Sequence, residues 1–183
     1  MLLLNPSGHF GNRFWNWSGQ CPTRRCRACL TLWFLQVCSR IGKGIFVNRP
    51  TKEAIDRHLE FGSQVPTLLS MMHLYPIDGA AARVGRQQTA FSYREAQYSM
   101  AICGIDPDPA NAELITKWTR DYWTGLEPYS LGGAYVNFLM GDEGVGRVQA
   151  TYRDNYERLV EIKTRYDPDN FLARNQNIQP RSF

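Results

Sequence analysis

The stretch YRDNYERLVEIKTRYDPDNFLARNQNIQP (residues 152–180) is the most informative part of this chain, together with YVNF (residues 135–138) upstream. Its first half continues a helical pattern that predicts one helix over about 148–166, ended by Asp167-Pro168. Pairs of opposite charge at i,i+4, Asp154–Arg158 and Glu161–Arg165, would each add ~0.3 kcal/mol to that helix. YVNF lies in a predicted strand, 134–140, which follows a Gly-Gly turn.

Upstream of this stretch, residues typical of helix N-caps alternate with segments in which apolar residues recur at regular spacing. Thr51 predicts the start of a helix over about 51–61, and Asp108-Pro109 predicts the start of another. In the second helix an apolar stripe that includes Trp118 and Tyr122 is typical of core packing. Strands are predicted over 68–75 and 98–105, with weaker candidates at 83–84 and 91–94. The fold class is therefore α+β: the remainder of an antiparallel sheet with helices packed on one side.

Charge is unevenly distributed along the 183 residues. The net charge is +4, but residues 1–46 carry six Arg or Lys and no Asp or Glu, which leaves 15 bases and 17 acids in the rest. Because the basic excess is confined to one short segment, we expect no nucleic-acid partner. No apolar run is long enough to span a bilayer, so we also expect no membrane partner.

Residues 1–45 differ from the rest of the chain in being basic and rich in Cys and Trp, without a clear period. They are expected to be disordered or foreign to the fold. Cys21, Cys26 and Cys29 have the C-x4-C-x2-C spacing of some iron–sulfur proteins, with Cys38 as a possible fourth ligand. The loop that would carry these ligands is rich in Arg, which does not favour an iron–sulfur cluster. A zinc site would need paired C-x2-C motifs, and only one such pair is present. We therefore expect free thiols and no metal.

The same segment contains an apolar run, residues 30–37, after a group of arginines. This order loosely resembles a secretory signal. The run is short, starts far from Met1 and lacks a small-residue cleavage site. The compartment is thus left open, and without a convincing signal peptide the cytoplasm is favoured.

The stretch 152–180 resembles the carboxyl end of FAD-linked oxidases of the berberine-bridge-enzyme type, within the vanillyl-alcohol-oxidase superfamily. YVNF resembles the strand motif that precedes it there. Residues 73–94 resemble the family's substrate-domain strands, with the motifs Asp78-Gly79-Ala80 and Thr89-Ala90-Phe91-Ser92-Tyr93-Arg94. The resemblance covers residues 47–180, and nothing in residues 1–45 joins it.

This resemblance implies an oxidoreductase in which FAD accepts a hydride from an alcohol, sugar or amine carbon while a base takes the proton. It divides the chain into an unmatched segment (1–45), a partial substrate domain (46–140) and a berberine-bridge-type carboxyl-terminal segment (141–183). The family's flavin-binding domain, with its phosphate loop and attachment histidine, is expected to be missing, since His9 lies in the unmatched segment. The implied partners are a small-molecule substrate and that missing domain. We expect the chain alone neither to bind FAD tightly nor to turn over.

The resemblance also assigns site residues. Tyr135 matches a catalytic tyrosine at the flavin and substrate, and Asn137 matches a flavin contact. Phe138 lies in the pocket where several members have a second tyrosine that serves as the base, and a phenyl ring cannot take a proton. His73 and Tyr75 fall on the strand that lines the substrate pocket. In a regular strand Tyr135 and Phe138 would point to opposite faces, so both reach one site only if the backbone bends.

Two other interpretations stay open. The chain could be a catalytically silent piece, either a truncated product or a gene model with wrong boundaries and a foreign leader. Such a piece would be unstable because surfaces meant for the flavin domain would be exposed. A weaker alternative is a small metal-binding protein built on the cysteines of residues 1–45.

Overall fold

The computed structural model describes residues 39–181. Their centre is a three-stranded antiparallel sheet in the order β1-β3-β2, formed by Ser39–Val47 (β1), Met71–Pro76 (β2) and Tyr98–Asp106 (β3). Five α-helices accompany it: Lys52–Gly62 (α1), Gly79–Arg83 (α2), Ala112–Leu126 (α3), Gly144–Tyr152 (α4) and Tyr156–Tyr166 (α5). The predicted α+β class with antiparallel strands is confirmed.

The predicted caps start the helices on one side of the sheet. The Thr51 hydroxyl accepts a hydrogen bond from the Ala54 amide at 3.3 Å, which satisfies one of the free donors at the start of α1. The Asp108 carboxylate accepts one from the Ala110 amide at 2.9 Å, at the start of a 3-10 turn that leads into α3. Glycine keeps α3 close to the sheet, because a Cβ on Gly104 would lie 2.5 Å from the Thr119 hydroxyl.

The main core lies between α3 and one face of the sheet. It joins alternate residues of β1 and β3 to the apolar stripe of α3: Ile45, Val47, Met100, Ile102, Trp118, Tyr122 and Leu126. The interpretation of Trp118 and Tyr122 as packing residues is therefore confirmed, since both are buried. Leu114, which has the same spacing in the sequence, is 51% exposed, and its neighbour Ile115 is the buried residue on the first turn of α3.

Two smaller clusters lie on the opposite side. One joins the carboxyl-terminal helices to the chain before them: Ala134, Leu139, Val148, Tyr156 and Val160. The other packs Phe46 against Tyr93 and Ala96. The carboxyl-terminal segment therefore folds onto the side of the sheet that α3 leaves free.

Three predicted strands are wrong. Residues 134–140 form an extended stretch interrupted by a 3-10 turn at Val136–Phe138, because the chain bends over β1 there. Residues 83–84 end α2 and continue into a turn, and residues 91–94 form a loop held by side-chain bonds to backbone carbonyls.

The single predicted carboxyl-terminal helix is also wrong. It divides into α4 and α5 at a 3-10 turn where Arg153 has φ 47°. The two predicted i,i+4 pairs do not form, since Asp154 pairs with Arg86 at 3.2 Å and Glu161 with Arg181 at 3.7 Å. Arg86 and Arg181, which are distant in the sequence, thus take the place of the local partners.

The expectation of disorder over residues 1–45 is wrong for residues 39–45, which form most of β1 and bury Ile41 and Ile45. Gly42 and Gly44 lack side chains, so the alternation typical of a strand is not visible in the sequence of residues 39–45. The four N-terminal cysteines, the apolar run 30–37 and His9 lie outside the described residues.

Candidate active site

The face of the sheet opposite α3 has a floor of small side chains. Strand register places residues of β1, β3 and β2 in two adjacent rows on this face: Gly44, Ala101 and His73, then Phe46, Ser99 and Tyr75. Because Gly44, Ala101 and Ser99 project so little, the larger side chains on either side of them can approach one another.

Aromatic rings from three parts of the chain meet above this floor. The His73 and Tyr75 rings stack at 5.5 Å, and the Tyr75 and Phe138 rings at 5.7 Å. Phe138 meets Tyr135 edge-to-face at 5.3 Å, and Tyr135 meets Phe91 at 6.4 Å. We call these five residues the aromatic face. It brings together four of the five predicted site residues.

The bend at Val136–Phe138 makes this arrangement possible. A 3-10 turn places residues three apart on one side, so the rings of Tyr135 and Phe138 both point to the aromatic face. Gly44 gives them room, since a Cβ there would lie 3.0 Å from the Cβ atoms of Ala134 and Phe138 and would press against both. The backbone bend that Tyr135 and Phe138 need in order to reach one site is therefore present.

Asn137, the fifth predicted residue, lies beside the same turn. Its Nδ2 donates a hydrogen bond to the Tyr135 hydroxyl at 2.9 Å, and both side chains are exposed. The phenolic O–H therefore remains available as a donor and the Asn137 carbonyl as an acceptor. Together the two residues offer a polar edge next to apolar rings.

Buried side chains fix the backbone that leads to Tyr135. The Tyr93 hydroxyl accepts from the Gly133 amide at 2.6 Å and donates to the Ala150 carbonyl at 2.8 Å. A Cβ on Gly133 would lie 2.5 Å from that hydroxyl oxygen, so only glycine fits. The Arg153 guanidinium stacks on the Tyr93 ring at 3.5 Å from its centre and donates to the Leu131 carbonyl.

A buried ionic cluster holds the edge of β1 next to this segment. Glu143 lies between Lys43, at 2.9 Å, and Arg147, at 3.2 Å, and its side chain is only 2% exposed. Arg147 also donates to the carbonyl groups of Gly44 and Gly132. Both cations lie over the Trp123 ring. Residues 132–138 are thus attached to β1 by charged as well as apolar contacts.

The side chains of the aromatic face suit a planar heteroaromatic ring such as that of a flavin. Exposed rings can stack on it, and Tyr135 and Asn137 can meet its polar edge. The Ser99 hydroxyl, buried on the same face between the positions of Tyr75 and Phe46, has no hydrogen-bond partner within residues 39–181.

Residues 39–181 present no binding site for the phosphates of a dinucleotide. Beside the glycine-rich turn of residues 141–146, the cations are already engaged, since Lys43 and Arg147 pair with Glu143, and Arg120 pairs with Asp142. The described residues therefore fit the ring of FAD and not its pyrophosphate.

Another polar site lies on the opposite side of the sheet. His58 Nδ1 lies 2.7 Å from the Tyr122 hydroxyl, beside a cleft of about 250 Å³ between α1 and residues 127–130. Burial lowers the pKa of His58 and raises the pKa of Tyr122. None of the predicted site residues lines this cleft, so it is separate from the aromatic face.

No group of three or more His, Cys, Asp or Glu side chains within residues 39–181 could hold a metal ion. None of the helices in this range has the length and apolar content needed to cross a bilayer. Cys103 is partly buried on β3, and burial raises the pKa of its thiol.

Sequence reasoning missed the supporting residues of the site. Phe91 and Tyr93 belong to a motif that was noted without a role, and the pairing of Gly133 with Tyr93 has no local signal. The run Ser99-Met-Ala101 could have indicated the floor, because small residues alternate there with large ones.

Comparisons with known proteins identify related sequences and folds. Residues 134–179 match the family model described as "Berberine and berberine like". An uncharacterised FAD-linked oxidoreductase of Bacillus subtilis, YgaK, is 32% identical over 139 residues, which cover 75% of this chain and 30% of that protein. Berberine bridge enzyme-like 28 of Arabidopsis thaliana is 30% identical over 161 residues, with the same two coverages.

The fold matches solved structures of the same kind. The BBE-like 1 protein of Physcomitrella patens superposes with a TM-score of 0.68 and 24% identity, over 79% of this chain and 31% of that one. The chain therefore spans about a third of the length of the proteins that it matches. By its carboxyl-terminal motif, its relatives and its fold, the chain belongs to the berberine-bridge-enzyme-like family of FAD-linked oxidoreductases.

Proposed function

We propose that this chain supplies the substrate-facing surface of an FAD-dependent oxidoreductase that takes a hydride from an alcohol, sugar or amine carbon. The observation that carries the proposal is the aromatic face, in which His73, Tyr75, Tyr135 and Phe138 meet on the open side of the sheet. Its rings would pack against a flat substrate or cofactor ring, and its polar groups would orient the reacting carbon.

Tyr135 is the proposed catalytic residue. The Asn137 amide donates a hydrogen bond to the Tyr135 hydroxyl and orients it, and a hydroxyl can both donate and accept a proton. Tyr135 can therefore accept or relay the substrate proton, whereas Phe138 can only pack. His73 and Tyr75 would bind the substrate on the other side of Phe138.

FAD is the proposed cofactor, and when bound it supplies the hydride acceptor. Tyr135 and Asn137 are the side chains that would contact its ring. Because residues 39–181 lack a phosphate grip, retention of FAD would depend on contacts beyond them, and the chain alone would neither retain the cofactor nor turn over.

A visible absorption spectrum of the purified chain tests this division of roles. The spectrum is taken before and after FAD is added and the excess is removed. We expect a colourless protein in both cases, and no reduction of added FAD by alcohols, sugars or amines above the rate without protein. A retained flavin band would contradict the proposed lack of a phosphate grip, and Tyr135→Phe and Asn137→Ala would then be compared for turnover.

A further inference from the structure

Arg153 has a backbone conformation that is unusual for a residue with a side chain. It caps the end of α4 with φ 47° and ψ −127°. Non-glycine residues with positive φ normally lie in the left-handed helical region, where ψ is also positive, so the backbone of Arg153 is strained. Strain of this kind persists only where the surrounding structure holds the residue in place. The contacts of the Arg153 side chain do so.

The Arg153 guanidinium joins two segments that are distant from each other in the sequence. It stacks on the Tyr93 ring at 3.5 Å from the ring centre and pairs with the Glu95 carboxylate. From the same group, Nη2 donates to the Leu131 carbonyl at 3.1 Å. The side chain is only 22% exposed. A guanidinium can make all three contacts at once, because its donors have fixed directions and its flat face can stack on an aromatic ring.

The two residues after Arg153 hold the first of these segments, the loop of residues 86–95. The Asp154 carboxylate accepts a hydrogen bond from the Arg86 guanidinium at 3.2 Å. Asn155 is 5% exposed, and its Nδ2 lies within hydrogen-bond distance of three carbonyl oxygens of the loop. These are the carbonyls of Arg86, Thr89 and Ala90, at 2.7, 3.1 and 3.4 Å. Residues 153–155 therefore fix this loop along its length.

The two segments meet at the aromatic face. Phe91 lies in the loop of residues 86–95, and Tyr135 lies at the end of the second segment, residues 131–135. The rings of Phe91 and Tyr135 meet edge-to-face with their centres 6.4 Å apart. The position of the Tyr135 ring relative to Phe91 thus depends on how closely the two segments are held together.

We propose that Arg153 is a positioning residue, which sets the Tyr135 ring against Phe91 by clamping residues 86–95 to residues 131–135. This inference rests on the proposed function, in which Tyr135 accepts or relays the substrate proton. A glycine at position 153 would adopt the observed backbone without strain, but it would have no side chain to join the two segments. Arginine is therefore unfavourable for the backbone of the turn and favourable for the placement of Tyr135.

Nuclear Overhauser effects between the Phe91 and Tyr135 rings of the full chain test the proposal. Arg153→Gly relieves the backbone strain and removes the clamp, whereas Arg153→Lys keeps the charge and loses the planar group. We expect both variants to lower the Phe91–Tyr135 signal about threefold or more, since an ammonium cannot reproduce the stacked, forked contacts. Arg165→Lys is the matched control and should leave the signal unchanged, because Arg165 also lies over a tyrosine ring, that of Tyr166 on α5.

The stacked rings of His73 and Tyr75 provide an internal reference, since they belong to β2 rather than to the clamped segments. A positioning role predicts that the signal between these two rings stays constant while the Phe91–Tyr135 signal falls. A purely structural role would weaken both signals together, along with the stability to urea. A retained Phe91–Tyr135 signal in Arg153→Gly, or an equal loss of both signals, would overturn the proposal.

A titration with riboflavin separates this inference from the proposed function. Where the wild-type chain quenches riboflavin fluorescence, Arg153→Gly should weaken that binding and Arg165→Lys should not. Unchanged binding in Arg153→Gly would overturn the role of Arg153 in the site. An absence of quenching by the wild-type chain would instead contradict the proposed function, and the ring signals alone would then decide whether Arg153 positions Tyr135.

Discussion

Replacing Tyr93 by Phe would test how the backbone before Tyr135 is held in place. The change removes one oxygen and leaves the ring, which stacks on Phe46 at 4.3 Å. It breaks the hydrogen bond from the Gly133 amide and the one to the Ala150 carbonyl. Each bond contributes ~1 kcal/mol net, and a buried amide left without a partner costs a further ~1–3 kcal/mol. The expected loss is therefore about 3–5 kcal/mol of unfolding free energy.

Urea unfolding followed by tryptophan fluorescence measures this loss. Tyr152→Phe is the matched control, because Tyr152 is a half-buried tyrosine of α4 for which no hydrogen bond of the hydroxyl is found. We expect the control to change stability by less than ~0.5 kcal/mol. Hydrogen exchange at Gly133 should accelerate in Tyr93→Phe beyond the global change. Equal stability of the two variants would refute the view that Tyr93 fixes this segment.

Three further perturbations follow from the packing. Gly133→Ala places a methyl group 2.5 Å from a buried phenol and should lower the melting temperature, whereas Gly141→Ala, which meets nothing within 4 Å, should not. Burial lowers the pKa of His58 below the ~6.5 of an unfolded chain, so protons favour unfolding. Stability should thus fall as the pH drops below about 6.5, and His58→Gln should flatten that dependence in urea titrations. Glu143→Gln leaves two cations poorly compensated and should cost ~3–5 kcal/mol in the same assay. Glu157→Gln breaks an exposed pair and should cost less than ~1 kcal/mol.

The sequence predicted the elements whose signals are local. Thr51 and Asp108 start helical turns as expected, and Trp118 and Tyr122 pack in the core, because caps and apolar periods act over a few residues. Strand β3 was predicted to within one residue at its end, since its large side chains alternate regularly on one face.

Long-range contacts decided the elements that were predicted wrongly. Residues 134–140 have strand-forming side chains, yet they bend over Gly44 because the carboxyl-terminal helices bury Ala134 and Leu139. The break at Arg153 depends on its contacts with Tyr93 and Leu131, which lie far away in the sequence. The family resemblance indicated which residues belong to the site. Their contact with one another through the Phe138 ring could not be predicted without the fold.

The central claim is that the aromatic face contacts a flavin ring without gripping the phosphates. The most direct test is to titrate riboflavin, FMN and FAD separately with the chain and follow the quenching of flavin fluorescence. We expect weak binding of similar affinity for all three flavins. Tyr135→Leu should weaken this binding, whereas Tyr166→Leu, at an exposed tyrosine of α5, should not. Markedly tighter binding of FAD than of riboflavin, or no quenching by any of the three, would contradict it.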